Sequence, residues 1–481
     1  MLKKKFDNIL NGIKYFGLAD NRIIESIFYD SRKVKKNSLF IAIDGFNNDG
    51  HQYIDEAIKL GAHAIITNKD LKDKYSIPII KVKSTRKAMS QIASNFFGNC
   101  SQNIKITGIT GTNGKTTITE LVNYILKSNN YETSSLGTLG FSGPNGTSNT
   151  GFTTPESLEL QHIFYILHNS GVTHLNMEIS SHAIALNRVD NVDVDIAVFT
   201  NLSNEHLDFH GTIENYFKTK LRLFQNLESN KVAIINNDDY YSKKIKNSTR
   251  AKIFTYGFNN NSDIYPYDIK MNLNGSEFYI NYNEEKIKVN TNLIGDFNVS
   301  NILASILVCK NLGLQIQDIV NSIKHFKSVP GRCQVYNKKN GGMIIIDYAH
   351  TPDAFQKILS TIKKINPKKQ IITLFGCGGD RDKNKRPIMA EIAEKNSYKT
   401  IITNDNPRYE EPQKIINEIV LGFKTDNYDV INDREIALEQ QIKNLNKNQI
   451  LVVLGKGIEN YQIIKNKKTY HSDSEIVECL I

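Results

Sequence analysis

The sequence predicts an α/β protein with three domains, and three observations lead to this prediction. The chain has 481 residues, which at ordinary domain sizes corresponds to about three domains. Short β-branched runs alternate with helical segments along most of the chain, a pattern typical of parallel βαβ units. Residues 258–295 differ, because their short alternating stretches indicate antiparallel hairpins. We place the domains at residues 1–99, 100–329 and 330–481.

The first domain is predicted to be small and to mix strands with helices. Its predicted strands are Leu39–Ile43, Ala64–Thr67 and Pro78–Val82, and its predicted helices are Tyr53–Leu60 and Arg86–Phe97. The central domain is predicted to hold a largely parallel sheet, with a long helix after its first strand. Its predicted elements are the strands Ile104–Thr110, Leu175–Ile179, Asp195–Thr200, Val232–Ile235 and Lys252–Tyr256, the helix Lys115–Leu126, and the hairpin stretches Glu277–Tyr282 and Lys286–Val289.

The third domain follows a turn at Pro330–Gly331. Both residues break regular structure, so we place the domain boundary there. Buried strands alternate with helices here, which predicts a doubly wound, Rossmann-like α/β domain. Its predicted strands are Gly342–Asp347, Gln370–Phe375, Lys399–Thr403 and Gln449–Leu454, and its predicted helices are Ala354–Lys364, Pro387–Lys395 and Pro412–Phe423.

Composition favours a cytoplasmic protein that binds small molecules. No apolar run reaches the ~18–20 residues that cross a bilayer, and polar residues interrupt any apolar core near the N-terminus, so we expect neither a membrane partner nor a secretory signal. The five cysteines are scattered and form no CxxC pair, which fits a reducing compartment. The net charge of +10 is spread along the chain, which favours an anionic small substrate over nucleic acid. We expect a monomer.

A phosphate-binding loop is predicted between the first strand of the central domain and the helix after it. Glycines allow backbone N–H groups to turn toward phosphate oxygens, and the helix N-terminus adds a partial positive charge. Lys115 can supply a cation, and the Thr116 hydroxyl can ligate Mg²⁺. The central domain is therefore expected to be P-loop ATPase-like. The residues predicted to bind ATP here are Gly111, Thr112, Asn113, Gly114, Lys115, Thr116 and Thr117.

Motifs along nearly the whole chain, in a fixed order, resemble those of the Mur ligases, and among these the members that add diaminopimelate. The motifs are Asp30-Ser-Arg32, Gly108–Thr117, Met177-Glu-Ile-Ser-Ser-His182, Thr200-Asn-Leu-Ser-Asn-Glu-His-Leu-Asp-Phe-His-Gly211, Gly295-Asp-Phe-Asn-Val-Ser-Asn301, Pro330-Gly-Arg332, Asp347-Tyr-Ala-His350, Gly376-Cys-Gly-Gly-Asp-Arg-Asp382, Asp405-Asn-Pro-Arg408 and Gly455-Lys-Gly457.

The resemblance implies an ATP-dependent amide ligase of bacterial cell-wall precursor synthesis. ATP phosphorylates a substrate carboxylate, and an amine displaces phosphate from the resulting acyl phosphate. The resemblance assigns catalytic or metal-binding roles to Lys115, Thr116, Glu178, His206 and Lys220, the last as a carbamate that bridges to Mg²⁺. It further assigns Asn298, Arg332 and Asp347 to ATP.

The resemblance also implies a UDP-muramoyl dipeptide as the acid substrate. The positions that match its binding residues are Tyr29, Ser31, Phe46, Asn47, Asn48, Phe152, Thr153, Thr154, Ser180, Leu186 and Arg188. An arginine such as Arg188 suits an anionic partner, because its planar fork pairs with a carboxylate or phosphate through two hydrogen bonds.

Asp405-Asn-Pro-Arg408 follows a predicted strand, at the edge where α/β sheets bind ligands. In the family that this sequence resembles, the tetrad is associated with the addition of meso-diaminopimelate. Arg408 can pair with the distal carboxylate of diaminopimelate, which lysine lacks, and lysine-adding relatives carry another residue there. The resemblance assigns further contacts to Arg381, Gly455 and Glu459, the last facing the distal ammonium.

Four alternatives remain at the level of sequence. Two lie within the superfamily, a lysine-adding ligase and a folylpolyglutamate synthetase; Arg408 argues against the first and Asp30-Ser-Arg32 against the second. A P-loop ATPase that acts on nucleic acid is disfavoured because no basic cluster is present. A catalytically inactive binding protein is disfavoured because Lys115, Glu178 and His206 are all in place.

Overall fold

A computed structural model describes residues 2–45, 48–71 and 75–481 of the chain. Three sheets organise it, with five, eleven and six strands in order along the sequence, and two further strand pairs are small. Helices cover the sheets, so the predicted α/β fold class with three parts is confirmed. Within the described ranges, no helix combines the length and the apolar character needed to span a membrane.

The first sheet is parallel except for one edge strand. Across the sheet, its strands are Tyr15–Phe16, Ile79–Val82, Ala62–Thr67, Ser38–Ile41 and Ser26–Phe28. The helices of this part are Phe6–Ile9, Ile54–Lys59 and Thr85–Phe97, with short 3₁₀ turns at Ser31–Lys33, Gly50–Tyr53 and Cys100–Asn103. A short strand pair joins Lys4–Lys5 to Ile23–Ile24. The Ser84 side chain caps the helix Thr85–Phe97, and Gly98 ends it in a left-handed conformation.

The central sheet has a parallel middle and antiparallel ends. Across the sheet, its strands are Gly146–Ser148, Gly140–Gly143, Thr133–Gly137, His174–Glu178, Lys105–Thr110, Ile196–Phe199, Val232–Asn236, Lys252–Tyr256, Ile264–Asn272, Gly275–Tyr282 and Glu285–Thr291. The predicted hairpins after residue 258 are confirmed. Lys105–Thr110 lies between His174–Glu178 and Ile196–Phe199, all parallel, so the residues that follow these three strands meet at one edge.

Helices on both faces of the central sheet bury two apolar clusters. They are Lys115–Ser128, Ser157–Asn169, Ser181–Ala185, Leu207–His210, Ile213–Gln225, Ser242–Lys246, Asp296–Asn311 and Ile316–His325. The helix Asp296–Asn311 is buried on nearly all sides and packs against Lys115–Ser128. This packing fixes the helix that begins at the predicted phosphate loop.

The third sheet has one antiparallel edge strand and five parallel strands. Across the sheet, its strands are Gln334–Asn337, Met343–Asp347, Gln449–Leu454, Gln370–Phe375, Lys399–Ile402 and Tyr428–Val430. The helices Pro352–Ile365, Lys385–Asn396 and Pro412–Val420 cover one face, and Arg434–Asn444 and Asp473–Leu480 cover the other. A hairpin, Tyr461–Ile464 with Lys467–Tyr470, follows the strand Gln449–Leu454. This is a doubly wound arrangement, as predicted.

Candidate active site

The predicted phosphate loop joins the strand Lys105–Thr110 to the helix that begins at Lys115. Gly111 and Gly114 both have positive φ, at 149° and 90°. A Cβ on Gly111 would overlap Oγ1 of Thr200, and one on Gly114 would lie 2.5 Å from Oδ1 of Asn301. Both positions therefore require glycine, because the loop turns sharply against its neighbours.

Lys115 lies over the loop and points its charge into it. Its Nζ donates to the carbonyl oxygens of Gly111, at 2.9 Å, and Thr112, at 2.8 Å. The loop residues from Thr112 to Thr117 line a cavity of about 650 Å³ at the carboxyl edge of the central sheet, roughly the volume typical of small-ligand sites. A helix N-terminus and a cation in one cavity form an anion site.

Thr116 and Glu178 come together at the floor of this cavity, as their assignment to one metal ion requires. Oγ1 of Thr116 donates to Oε1 of Glu178 at 2.9 Å, and the carboxylate also accepts the backbone N–H of Thr138 at 2.8 Å. Glu178 is only 1% exposed. A hydroxyl and a carboxylate oxygen are donors that a hard divalent cation prefers, so these two side chains fit a magnesium ion.

Lys220 lies buried beneath the loop, on the helix Ile213–Gln225. Its Nζ donates to the Gly111 carbonyl at 3.0 Å and lies 4.7 Å from the ring centroid of Tyr216. Among the described residues, no carboxylate forms an ion pair with it. Burial and the nearby charge of Lys115 lower the pKa of Lys220 well below its ordinary value of 10.5. The environment therefore favours the neutral amine at this position.

His206 lines the same cavity beside a carboxylate that sequence reasoning did not single out. Nε2 of His206 lies 3.7 Å from Oε2 of Glu205, whose other oxygen lies 3.3 Å from Nε2 of His350. Burial by itself raises the pKa of Glu205, but the hydrogen bond from His350 and the charge of His206 hold it below the usual range. Glu205 and His350 both lie inside motifs quoted above, and that position is the signal that could have identified them.

The C-terminal domain closes the cavity from the other side. Nη2 of Arg332 donates to Oγ1 of Thr116 at 3.1 Å, and its guanidinium stacks 4.6 Å from the ring centroid of Tyr348. Asp347 accepts the backbone N–H groups of Cys333 and Ala349, each at 2.7 Å. Asn298 also lines the cavity, so all three residues assigned to ATP outside the loop face it.

Residues assigned to the dipeptide adjoin Glu178. Thr153 and Ser180 line the cavity, and Oγ1 of Thr154 donates to the Glu178 carbonyl at 2.8 Å. Arg188 is buried rather than exposed at the surface. It donates to the Thr154 carbonyl at 2.9 Å and to Glu156 at 2.8 Å, and it stacks 4.7 Å from the ring centroid of Phe152.

The remaining dipeptide positions lie outside this cavity. The Tyr29 hydroxyl donates to Glu159 of the central domain at 2.8 Å, and the Ser31 hydroxyl donates to Glu56 at 3.0 Å. The Asn48 carbonyl accepts the N–H of Gly45, and Leu186 follows the helix Ser181–Ala185. Phe46 and Asn47, assigned to the same ligand, lie outside the described residues.

A second cluster lies at the carboxyl edge of the third sheet. Asn406 donates to Oε2 of Glu459 at 2.9 Å, and Gly455 lies so close to Asp405 that a Cβ would be 3.0 Å from its carboxylate. Lys456, fully buried and not singled out from the sequence, lies 3.4 Å from Glu459 and 4.0 Å from Asp405. The structure thus gathers most of the residues assigned to diaminopimelate.

Arg408 borders this cluster with its charge uncompensated. Its Nη1 donates to the carbonyls of Gly379, at 2.8 Å, and Asn406, at 3.4 Å, and no carboxylate of the described chain forms an ion pair with it. Pro407 fixes the turn before it. Arg381 is exposed and donates to the Asp380 carbonyl, with its Cγ beside Gly378 and near Arg408. Arg381 and Arg408 therefore both lie beside Gly378, and of the two it is Arg408 that contacts the polar cluster, through the Asn406 carbonyl.

Replacing Gly111 tests the loop geometry. We expect Gly111→Ala to weaken binding of a non-hydrolysable ATP analogue by at least about tenfold and to lower the free energy of unfolding by about 1–3 kcal/mol, because the new methyl group overlaps Thr200. Calorimetric titration and thermal unfolding measure both effects. Gly98→Ala is the control, because its φ is also positive but nothing lies within 4 Å of the added Cβ. Equal binding losses in both variants would contradict the overlap.

Domain comparisons cover most of the chain. The Mur ligase family catalytic domain matches residues 23–97, the Mur ligase middle domain matches residues 109–309, and the Mur ligase glutamate ligase domain matches residues 331–457. Proteins named UDP-N-acetylmuramoyl-L-alanyl-D-glutamate–2,6-diaminopimelate ligase are similar over the full length. The one from Clostridium botulinum is 42% identical and covers 98% of each chain, and the one from Clostridioides difficile is 40% identical and covers 99% of each.

Solved structures agree with the sequence matches. A structure of a UDP-N-acetylmuramoyl-L-alanyl-D-glutamate–2,6-diaminopimelate ligase aligns with a TM-score of 0.73 and 31% identity, covering 100% of this chain and 99% of the other. A folylpolyglutamate synthase of Mycobacterium tuberculosis, complexed with ADP, aligns with a TM-score of 0.63 but only 14% identity, over 76% of this chain and 91% of its own. This second likeness shows a common fold alone.

Proposed function

The chain belongs to the Mur ligase family, and on this premise we propose that it joins meso-2,6-diaminopimelate to UDP-N-acetylmuramoyl-L-alanyl-D-glutamate at the expense of ATP. The products are the UDP-linked tripeptide, ADP and phosphate. Full-length relatives that carry the name of this activity support the proposal. The observation that carries the choice of amino acid is Arg408, a guanidinium with no carboxylate partner in the described chain, at the edge of a polar cluster.

In the first half-reaction, a carboxylate oxygen of the dipeptide attacks the terminal phosphorus of ATP. A P–O bond to ADP breaks, and an acyl phosphate forms. The loop N–H groups and Lys115 hold the phosphate oxygens in line, and Arg332 brings a second cation from the C-terminal domain to Thr116. Fixed cations around a transferring phosphoryl group stabilise the charge that spreads over its oxygens.

In the second half-reaction, an amine of diaminopimelate attacks the acyl carbon. A tetrahedral intermediate forms, loses a proton from nitrogen and expels phosphate, which leaves the amide. Asp405, Asn406 and Glu459 are suited to hold the amino-acid head that does not react, because carboxylates and an amide accept from an ammonium group. Arg408 pairs with the carboxylate of that head. Both reactants are thus oriented before chemistry, which removes much of the entropic barrier.

The donor set fits Mg²⁺, which supplies charge neutralisation for the phosphoryl oxygens when it is bound. Thr116 and Glu178 would hold one ion. His206 and Lys220, the latter as a carbamate, would complete the metal sites. Carbamylation adds CO₂ to a neutral amine and releases a proton, and the lowered pKa of Lys220 makes that amine available. The carbamate would replace a buried neutral amine with an anion next to the loop.

The acid substrate would extend from the cavity toward the N-terminal domain. Thr153, Thr154 and Ser180 lie beside Glu178 and would place the dipeptide carboxylate near the terminal phosphate. Arg188 would bind an anionic group of the same ligand. Tyr29 and Ser31, with Asn48, would hold the UDP end. We further propose that the enzyme acts as a monomer in the cytoplasm.

Phosphate release tests the proposed function. Purified enzyme with Mg²⁺, ATP and UDP-N-acetylmuramoyl-L-alanyl-D-glutamate should release phosphate when diaminopimelate is added. Release with lysine should be on the order of a hundredfold slower, because binding lysine leaves Arg408 without its partner. Without any amino acid, release should stay near background. Equal rates with diaminopimelate and lysine would contradict the assignment.

A further inference from the structure

Arg386 is a fully buried guanidinium that the proposed mechanism does not use. It lies near the start of the helix Lys385–Asn396 and is 0% exposed. Burying a charge costs several kcal/mol unless it is paired and hydrogen-bonded, so a guanidinium this deeply buried requires close partners. Its partners are the carboxylates of Glu410 and Glu418 and the carbonyl of Gly378.

Arg386 binds the carboxylate of Glu410 in bidentate fashion. Nη1 of Arg386 donates to Oε2 of Glu410 at 3.0 Å, and Nη2 donates to Oε1 at 3.0 Å. This pairing lowers the pKa of Glu410 to about 2, so the carboxylate is ionised at any neutral pH. Nη2 also donates to the Gly378 carbonyl at 3.1 Å. One guanidinium therefore fixes two separate segments, the glycine loop 376–382 and the segment 405–410.

Those two segments carry Arg408 and Arg381. Glu410 lies two residues after Arg408, and its Oε1 accepts the backbone N–H of Asp380 at 2.6 Å. A second hydrogen bond joins the two segments, because Nη1 of Arg408 donates to the Gly379 carbonyl of the glycine loop at 2.8 Å. The segments pack so closely that a Cβ on Gly379 would overlap the carbonyl of Pro407.

Arg408 also needs support because its backbone is left-handed, with φ of 50°. A non-glycine residue in this conformation relaxes unless its surroundings hold it. On one side, its N–H donates to the Ile463 carbonyl and its carbonyl accepts from the N–H of Lys465. On the other side the support is Glu410, held by Arg386.

We propose that Arg386, acting through Glu410, is a positioning residue that aims the Arg408 guanidinium at the distal carboxylate of the incoming amino acid. The inference rests on the proposed function and deepens it. Arg386 itself does not touch the amino acid. Its effect passes through the carboxylate of Glu410 to the backbone of the segment that carries Arg408, and through Gly378 to the loop that receives the Arg408 side chain.

The experiment measures KM for each of the three substrates in full-length enzyme carrying Glu410→Gln or Arg386→Lys. Glu410→Gln places an amide N–H₂ against the guanidinium, and Arg386→Lys keeps the charge but cannot bridge Glu410 and Gly378. Both should raise KM for diaminopimelate by about tenfold to a hundredfold, and KM for ATP and for the UDP-muramoyl dipeptide should stay within about twofold. A parallel rise in all three KM values would overturn the inference, because it indicates general damage.

Glu418→Gln is the matched control. It removes the other carboxylate from the same guanidinium. Glu418 lies on the helix Pro412–Val420, and in the described part of the chain its carboxylate hydrogen-bonds neither loop segment. All three KM values should stay within about twofold. A rise in KM for diaminopimelate as large as that of Glu410→Gln would refute a role that is specific to Glu410.

A double-mutant cycle with Arg408→Ala separates positioning from stability. If Glu410 acts through Arg408, Glu410→Gln should change KM for diaminopimelate little once Arg408 is gone, so the effects are not additive. Additive effects would overturn the inference. A wild-type enzyme without diaminopimelate-dependent phosphate release would instead refute the proposed function. An active wild type with an unaffected Glu410→Gln variant would refute this inference alone.

Discussion

Lys220→Ala should lower kcat by about 10²–10³-fold, because it removes the proposed carbamate beside the phosphate loop. The methyl group that remains cannot ligate a metal ion or contact the Gly111 carbonyl, which Nζ reaches at 3.0 Å in the intact chain. The lost group is a carboxylate in shape and charge. Formate or acetate should therefore enter the vacated space and restore part of the activity, and a steady-state phosphate assay across acid concentration measures this recovery.

Lys218→Ala supplies the control for this experiment. Lys218 lies two residues away on the same helix, but its side chain is exposed. Its replacement should leave kcat within about twofold and should show no response to formate or acetate. If Lys220→Ala loses activity and neither short acids nor high bicarbonate change it, the carbamate assignment is wrong, and Lys220 acts only as a buried donor to the loop.

Arg408→Ala should weaken the use of diaminopimelate by about a hundredfold to a thousandfold in kcat/KM. Removing one member of a desolvated ion pair costs about 3–5 kcal/mol, because the substrate carboxylate then lies in the site without a partner. Arg408→Lys should fall between the wild type and the alanine variant, since it keeps a charge but loses the two-pronged fork. Competition between diaminopimelate and lysine, with products separated by mass, measures the effect.

Lysine serves as the internal control, because it has no distal carboxylate for Arg408 to bind. The slow rate with lysine should stay unchanged or rise in Arg408→Ala, since the variant no longer buries an unpaired guanidinium. The preference for diaminopimelate should therefore nearly disappear. A variant that loses activity equally with both amino acids would show that Arg408 supports the fold of this edge and does not read the carboxylate.

Much of this architecture was predictable from local patterns in the sequence. The phosphate loop was predictable because strand, glycines and helix follow one another within a few residues, and each residue type has a direct physical reason to be there. The parallel strands were predictable from short β-branched runs. The family resemblance assigned Thr116 and Glu178 to one proposed metal site. Both residues lie at the edge where the carboxyl ends of parallel strands meet, and their side chains are in contact there.

Other features depend on packing that no local pattern reports. The helix Asp296–Asn311 is buried on nearly all sides, so it lacks the amphipathic period that marks a surface helix. The hairpin Tyr461–Ile464 with Lys467–Tyr470 turns through Lys465 at φ of 53°, without the Asn-Gly signal of such turns. The predicted helix Pro412–Phe423 ends at Val420, because the chain turns where Gly422 packs against the backbone of Pro387.

Contacts between residues far apart in the sequence were the least predictable part of the candidate site. Glu205 and His350 are 145 residues apart and meet only because the third domain closes on the second. Arg188 was assigned to an anionic group of the dipeptide, and its sequence context gave no sign that it is buried against Glu156. The pair between Arg386 and Glu410 likewise requires the helix Lys385–Asn396 to meet the segment 405–410, within the third domain. Such pairings follow from sheet order and domain packing, which single-sequence spacing does not encode.

The central claim is that the terminal phosphoryl group of ATP passes to the peptide carboxylate before nitrogen attacks. Isotope transfer tests it most directly. UDP-N-acetylmuramoyl-L-alanyl-D-glutamate labelled with ¹⁸O in its reacting carboxylate is incubated with enzyme, Mg²⁺, ATP and diaminopimelate, and the released phosphate is analysed by mass. An acyl phosphate places one ¹⁸O atom in each phosphate formed along with product. Unlabelled phosphate, formed together with the amide, would contradict the account.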